Sequence, residues 1–476
     1  MPSPIRNTAL KVHRSIERPL SIKKVHSRLQ SSTTHNIIGS GLEKERQELR
    51  TAKPEIVSAS PLARLSTSSI LRTLLLSTFF TRPILFRCGF AVFEKIAKSP
   101  SPWLNPDRNP LLRAAIYPLI YKQFCAGRNQ TEIGQTSAEI RGLGFSGIVL
   151  CYGKEVQVQA DKLVGYSYSS PLNTMDAEIS QWADGNIRTL DMVGEGDWLG
   201  IKFTGAGTKI TQALMNGEDA PAKFVEAMDR ICEHAASKGC RIWIDAEQQV
   251  LQAAIDAWTF DLMRRHNAQR KQALVYNTIQ AYLKSAREKV QHQLELSRRE
   301  GWRLGIKLVR GAYIANDKRE RIHNTKADTD ASYNTIVEDL LRGRFPAQVG
   351  QGAKEIDLIL AGHNTASIRK AARLASELAA QSRLKVRPDF GQLQGMADDI
   401  GCELLQVADD VQAREPSAST QAFVPKVYKC LTWGSIQECM QYLTRRLVEN
   451  RGASERMKVG AAEFRKELLR RMGTGF

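Results

Sequence analysis

No two cysteines in this chain are spaced as CxxC, and the eight thiols, at 88, 125, 151, 232, 240, 402, 430 and 439, follow no regular framework. This argues against a structural zinc or a disulfide scaffold and predicts mostly buried thiols in a reducing compartment. No metal site is expected. Uninterrupted apolar runs of the roughly 18 residues that a spanning helix needs are also missing. The nearest candidate, 69–97, is broken by Arg72, Arg82, Pro83 and Arg87, so it predicts helices that pack on a main domain or lie against a membrane surface. Acid is almost absent from residues 1–42, where Glu17 stands alone among Arg6, Lys11, Arg14, Arg18, Lys23, Lys24 and Arg28. With serine and threonine abundant and no secretory core, that composition predicts a mitochondrial transit peptide, the alternative being a disordered basic tail. The chain also lacks zinc-finger spacing and any basic-aromatic repeat, so its formal charge of +18 is not read as a nucleic-acid signature.

What is present is enough apolar material for a large core: 476 residues, 42% of them hydrophobic. Beyond about residue 136, short apolar runs alternate with longer helical patterns. Strands are expected at 147–152, 199–203, 240–245, 274–277, 304–309, 357–361, 385–387 and 424–428. Helices are expected at 221–237, 248–264, 282–299, 331–341, 366–380 and 435–450. Eight β-α units over this length predict an α/β fold, a distorted (β/α)8 TIM-type barrel with an N-terminal helical extension, against an open doubly wound sheet as alternative. The expected division is a leader at 1–42, the helical extension at 43–135, the barrel at 136–460 and a tail helix at 461–476.

Two glycine patterns are decoys. Gly142, Gly144 and Gly147 spell GxGxxG, but the apolar strand follows the motif instead of preceding it. TGAGTK at 204–209 lacks the gap and the ending of a phosphate loop. More informative is position: Lys202, Asp245, Glu247, Gln280, Lys307, Arg310, His363, Asn364 and Tyr428 gather where the expected strands end, and in a barrel those ends converge on one mouth. Downstream, the stretch 442–450, YLTRRLVEN, sets Arg445 and Arg446 four and three residues before Glu449. On a helix that spacing suits either a salt-bridged surface or a clamp for a zwitterion, with paired guanidinium groups on a carboxylate and the acid near an amine.

IDAE at 244–247, IQAY at 279–282, KLVRGAY at 307–313, TKADTDASY at 325–333, GHN at 362–364, QLQGM at 392–396 and YLTRRLVEN at 442–450 together resemble proline dehydrogenase, in order and approximate spacing. The KLVRGAY form and the basic leader are most similar to the mitochondrial enzymes of eukaryotes, especially fungi. The resemblance implies a distorted barrel holding FAD without a Rossmann domain. It also implies oxidation of L-proline to Δ1-pyrroline-5-carboxylate by hydride transfer to flavin N5, with electrons passed to a quinone at the matrix side or the inner membrane, where the protein would associate peripherally. Carried across by position, Arg445, Arg446 and Glu449 would bind the proline carboxylate and amine, Asp245 would hold Arg445, and Lys202 would lie near substrate and flavin. Tyr313 and Tyr428 would line the proline ring, Tyr428 by its bulk favouring proline over hydroxyproline, and Leu393 would form an apolar wall. Gln280, Lys307, Val309, Gly311, His363 and Asn364 match flavin contacts, and Asn324, Thr325 and Lys326 the adenosine-phosphate end. Lys307 stands where bacterial members commonly carry arginine, and Ile314 where many have tryptophan. Two other readings remain: a class I aldolase-like barrel with Lys202 or Lys307 as Schiff-base nucleophile, and a basic binding protein without catalysis.

Overall fold

The apolar run GIVLCY forms β1 (Gly147–Tyr152), buried at its first four positions. It is entered by a tight loop from α4 (Gln130–Gly142), with Gly144 at φ +101°, so the glycine triplet connects a helix to a strand. The computed structural model describes residues 60–99, 101–152, 156–159, 162–165, 175–314, 316–350, 352, 354–414, 422–449 and 453–473. Side chains are described throughout these except at 83, 156–159, 162–165, 414, 445–449 and 453–459. The expected leader at 1–42 lies outside the described residues.

After β1 comes an antiparallel hairpin, β2 (Val156–Gln159) and β3 (Lys162–Gly165), which the sequence pattern did not announce. The remaining strands are β4 (Trp198–Ile201), β5 (Arg241–Ile244), β6 (Val275–Gln280), β7 (Leu304–Val309), β8 (Ile356–Ala361), β9 (Pro388–Leu393) and β10 (Lys426–Trp433). With β1 they close into an eight-stranded parallel barrel in the order β1-β10-β9-β8-β7-β6-β5-β4. Around it pack α5 (Met175–Asp191), α6 (Thr208–Asn216), α7 (Ala222–Ser237), α8 (Gln249–His266), α9 (Ala286–Glu300), α10 (Lys326–Arg342), α11 (Thr365–Ala380), α12 (Asp398–Arg414) and α13 (Ile436–Glu449). Most apolar side chains form one layer between barrel and helices.

The floor of the barrel is a separate cluster of Val149, Trp198, Trp243, Tyr276, Ile359 and Tyr428. Arg241 lies 3.8 Å from the centre of the Trp198 ring and donates to Asp389 at 3.0 Å and to the Tyr428 hydroxyl at 2.7 Å. This placement corrects the expected role of Tyr428. Its Cα pairs with Gly147, the first residue of β1, so it sits at the amino end of the barrel, 2% exposed, and not at the mouth. The strand was expected at 424–428, ending at Tyr428. Lys429 is buried and donates to Asp398 of α12 at 2.6 Å, which lets β10 run on to Trp433. The strand expected at 385–387 is likewise displaced to β9, whose PDFGQL composition hides it; Asp389 there is neutralised by Arg241.

Outside the barrel, α1 (Thr67–Thr81), α2 (Pro83–Lys98) and α3 (Pro110–Ile116), continued through Tyr117–Tyr121, form the extension, and α14 (Ala453–Arg471) returns against α1. Arg471 donates to the carbonyls of Leu62, Ala63 and Leu65 while also binding Glu467. The guanidiniums of Arg470 and Arg471 pull the Glu467 carboxyl down to about 2 from an ordinary 4.5. Because the folded value is depressed, the stabilisation is complete above about 4.5 and is lost as pH falls through 2. Glu467→Gln should therefore lower the thermal midpoint at neutral pH, and the gap from wild type should narrow steadily as the melts are repeated at lower pH across that window.

Candidate functional site

A cavity of about 240 Å³ opens at the carboxyl ends of the strands. Of the residues expected in a site, Lys202, Asp245, Gln280, Lys307, Val309, Gly311, Tyr313, His363, Asn364 and Leu393 all line it. They converge because each lies in the last residues of a barrel strand or within four residues after one.

Charge is concentrated on one wall. Lys307 of β7 donates to Asp245 at 2.5 Å, and Lys202, just after β4, stands 3.6 Å from the same carboxylate. Lys202 also donates to the Tyr313 hydroxyl at 3.0 Å, and Lys307 Nζ lies 3.8 Å from the centre of the Trp243 ring. One acid facing two ammonium groups leaves this wall net positive, an arrangement that favours an anionic guest. The expected pairing of Asp245 with Arg445 involves a side chain outside the described set; Lys202 and Lys307 both pair with Asp245.

The rest of the rim is set by backbone and short polar contacts. His363 Nε2 accepts from the Leu393 amide at 3.0 Å, and Asn364 caps α11 by accepting from the Ser367 amide at 3.0 Å. Gln280 donates to the Glu247 carbonyl at 3.2 Å. Gly311 has φ +136°, and a Cβ there would fall 2.1 Å from the Tyr282 ring, so only glycine lets the 307–313 segment turn past the cavity. The Cys151 thiol meets Cys430 Sγ at 3.7 Å; that contact and burial hold its pKa well above the ordinary value, so it is not a nucleophile at neutral pH.

Asn324, Thr325 and Lys326 do not line the cavity. They start α10, where Thr325 and Asp328 form a reciprocal cap and Lys326 binds Asp330 at 2.6 Å. Arg310 pairs with the same Asp330, so the start of α10 is tied to the strand end that carries the site. On α13, Tyr442 lines the cavity. Arg445, Arg446 and Glu449 follow it by three, four and seven residues, which puts their backbone positions along the helical row that begins at Tyr442.

Residues 134–459 match the family model described as proline dehydrogenase. The chain belongs to the proline dehydrogenase family. It is 34% identical over 260 residues to the probable mitochondrial proline dehydrogenase of Schizosaccharomyces pombe, covering 52% of this chain and 50% of that protein. It is 35% identical over 265 residues to the mitochondrial proline dehydrogenase 1 of Homo sapiens, covering 53% and 39%. The chain thus spans about half or less of these relatives. The hydroxyproline dehydrogenase of Bos taurus is 28% identical, with 76% of this chain and 82% of that protein covered. Among solved structures, the proline utilization A protein of Bdellovibrio bacteriovorus superposes with a TM-score of 0.57 at 16% identity, over 86% of this chain and 41% of that one, a likeness of fold.

Among the wall residues of the proline dehydrogenase barrel that were not foreseen are Trp243, Gln392, Cys430 and Tyr442. Gln392 and Tyr442 lie inside the quoted motifs QLQGM and YLTRRLVEN, and Trp243 and Cys430 lie two residues from Asp245 and Tyr428 on the same strand face, so correct strand register would have found the last two. Asp245→Ala should leave the buried Lys307 and part-buried Lys202 ammonium groups without their shared carboxylate and cost about 1–3 kcal/mol in chemical denaturation, with Asp245→Asn milder.

Proposed function

We propose that this chain oxidises L-proline to Δ1-pyrroline-5-carboxylate with FAD as cofactor, and that electrons pass on to a quinone in the mitochondrion, on the matrix side or at the inner membrane. The observation that carries the reading is the family match laid over a cavity with a cationic wall and an arginine-bearing helix beside it.

The cavity suits a flavin on one independent ground. Gln392 is 1% exposed and lines it, yet neither its amide nitrogen nor its oxygen has a hydrogen-bond partner among the described residues. A buried polar atom left unbonded costs about 1–3 kcal/mol, and a ring edge that alternates donors and acceptors would satisfy both. Gln280, Lys307, Val309, Gly311, His363 and Asn364 would hold the group, with Asn324, Thr325 and Lys326 toward its adenosine-phosphate end. FAD, when bound, supplies the two-electron acceptor that takes a hydride at N5.

The chain's own residues would do the rest. Arg445 and Arg446 hold the proline carboxylate at two points, which fixes the distance and orientation of the ring. Glu449 meets the ring amine. The cations Lys202 and Lys307, each facing Asp245, disfavour the ammonium form of proline, so that the nitrogen lone pair is free to help expel hydride. Tyr313 and Leu393 flank the ring. A Schiff-base role for Lys202 or Lys307 would need a neutral amine, and each faces Asp245.

One observation favours a second substrate. With Tyr428 on the barrel floor, Cys430 is the side chain that β10 offers to the cavity, so the expected bulk against hydroxyproline is missing. Turnover of L-proline and of 4-hydroxy-L-proline should be compared in wild type and in Cys430→Tyr; the added ring should cut hydroxyproline turnover more than proline turnover. Arg446→Ala should raise the KM for proline roughly 10- to 100-fold, as expected for loss of a charged hydrogen bond, while flavin absorbance is retained. An unchanged KM would remove the carboxylate clamp.

A further inference from the structure

Two thiols meet inside the cavity, and the proposed proline chemistry gives them no reacting part. Cys151 on β1 and Cys430 on β10 both line it, both are half-buried, and their sulfurs lie 3.7 Å apart. Strand register makes them diagonal neighbours: Cys430 stands beside Val149, and Cys151 beside Thr432. Diagonal cross-strand neighbours have Cα atoms about 7–8 Å apart, beyond the span that a disulfide bridges without backbone movement. A single atom bonded to both sulfurs fits better. At about 2.3 Å from each, the length of a zinc–thiolate bond, it would close the 3.7 Å gap near the tetrahedral angle.

The space beside the pair is kept open by Gly200 of β4. A Cβ there would fall 2.6 Å from Cys151 Sγ and 2.7 Å from Trp243 Nε1, so thiol and indole face one gap. The Trp243 N–H is buried and has no hydrogen-bond partner among the described residues, a cost that an acceptor placed in the gap would remove. The site therefore offers two sulfurs and one donor. It suits a metal dication poorly. Among the described residues no group of three or more His, Cys, Asp or Glu side chains could hold a metal ion, and the Lys307 ammonium lies 3.8 Å from the Trp243 ring centre.

We infer that Cys151 and Cys430 form a binding site for trivalent arsenic, taken up as the neutral hydroxide As(OH)3. Two As–S bonds form and two As–O bonds break. Each thiol proton leaves with a hydroxyl as water, so two waters are released and nothing is oxidised or reduced. Because the departing hydroxyl carries the proton away, no free thiolate has to form first. The third hydroxyl stays on arsenic, where its oxygen accepts from Trp243 Nε1. A neutral ligand meets no repulsion from the cationic wall, and it needs no further protein ligand. Arsenic held there takes up part of the cavity that Lys202 and Tyr313 also line. The inference rests on the dehydrogenase reading only for which activity is then obstructed.

The test is equilibration of the purified, FAD-loaded full chain with sodium arsenite at neutral pH, then removal of free reagent and native mass spectrometry. Wild type should retain one arsenic per chain, and a dithiol such as dimercaptopropanol should release it. Cys151→Ser and Cys430→Ser should each retain arsenic about 100-fold more weakly, since a lone thiol loses the second bond held at high effective concentration. Cys88→Ser, which removes the exposed thiol, should bind as wild type does. Circular dichroism checks the fold of each variant, and alanine at 151 or 430 replaces a serine variant that does not fold. Retention by both cavity variants equal to wild type, or no arsenic retained by wild type, would overturn the inference. Arsenic held through both cysteines in a protein whose flavin proline does not reduce would uphold the site while removing the proline reading.

Discussion

A closed parallel barrel has no place for an unpaired charge in its interior, and this chain builds both ends of its barrel around that constraint. At the floor Arg241 is matched by Asp389, and at the mouth Lys307 and Lys202 share Asp245. One short strand, β5, connects the two: Arg241, Trp243 and Asp245 alternate inward, a cation at the bottom, a ring in the middle and a carboxylate at the top. Trp243 touches the mouth lysine and meets Trp198 at a tilt of 43°, and Trp198 in turn carries Arg241 on its face. The floor is thus packed and inert, and the polar surplus is delivered to the one end where a ligand can use it.

The helix bearing the arginine pair is placed from outside the barrel. Asp107 caps α13 with both carboxylate oxygens, and Tyr121 donates to the Gly434 carbonyl at 2.6 Å just before that helix begins. The extension therefore acts as a bracket for the last functional element. A carboxylate at a helix N-terminus also opposes the positive end of the helix dipole, so one side chain contributes both hydrogen bonds and charge.

Much of this was legible in the sequence where polar and apolar residues keep to separate roles. The strands at Gly147–Tyr152 and Leu304–Val309 have the expected bounds because their apolar runs are unbroken. The arrangement fails to show where a buried charge mimics a solvated one. Lys429 hid the continuation of β10, and Pro388 and Asp389 displaced the expected strand from β9 to 385–387, since Asp398 and Arg241, the partners of Lys429 and Asp389, lie well away in sequence. Those two strands cost the sequence reading its placement of Tyr428 and concealed Cys430. Residues at strand ends, such as Lys202, His363 and Asn364, could be read directly because a strand end is a position that sequence does mark.

The account's central claim is tested most directly by anaerobic titration of the purified, FAD-loaded protein with L-proline while the flavin absorbance is followed. The visible flavin band should bleach as proline is added, and the product pool should contain Δ1-pyrroline-5-carboxylate. A protein that takes up no FAD, or whose bound flavin stays oxidised at saturating proline and hydroxyproline alike, would contradict it.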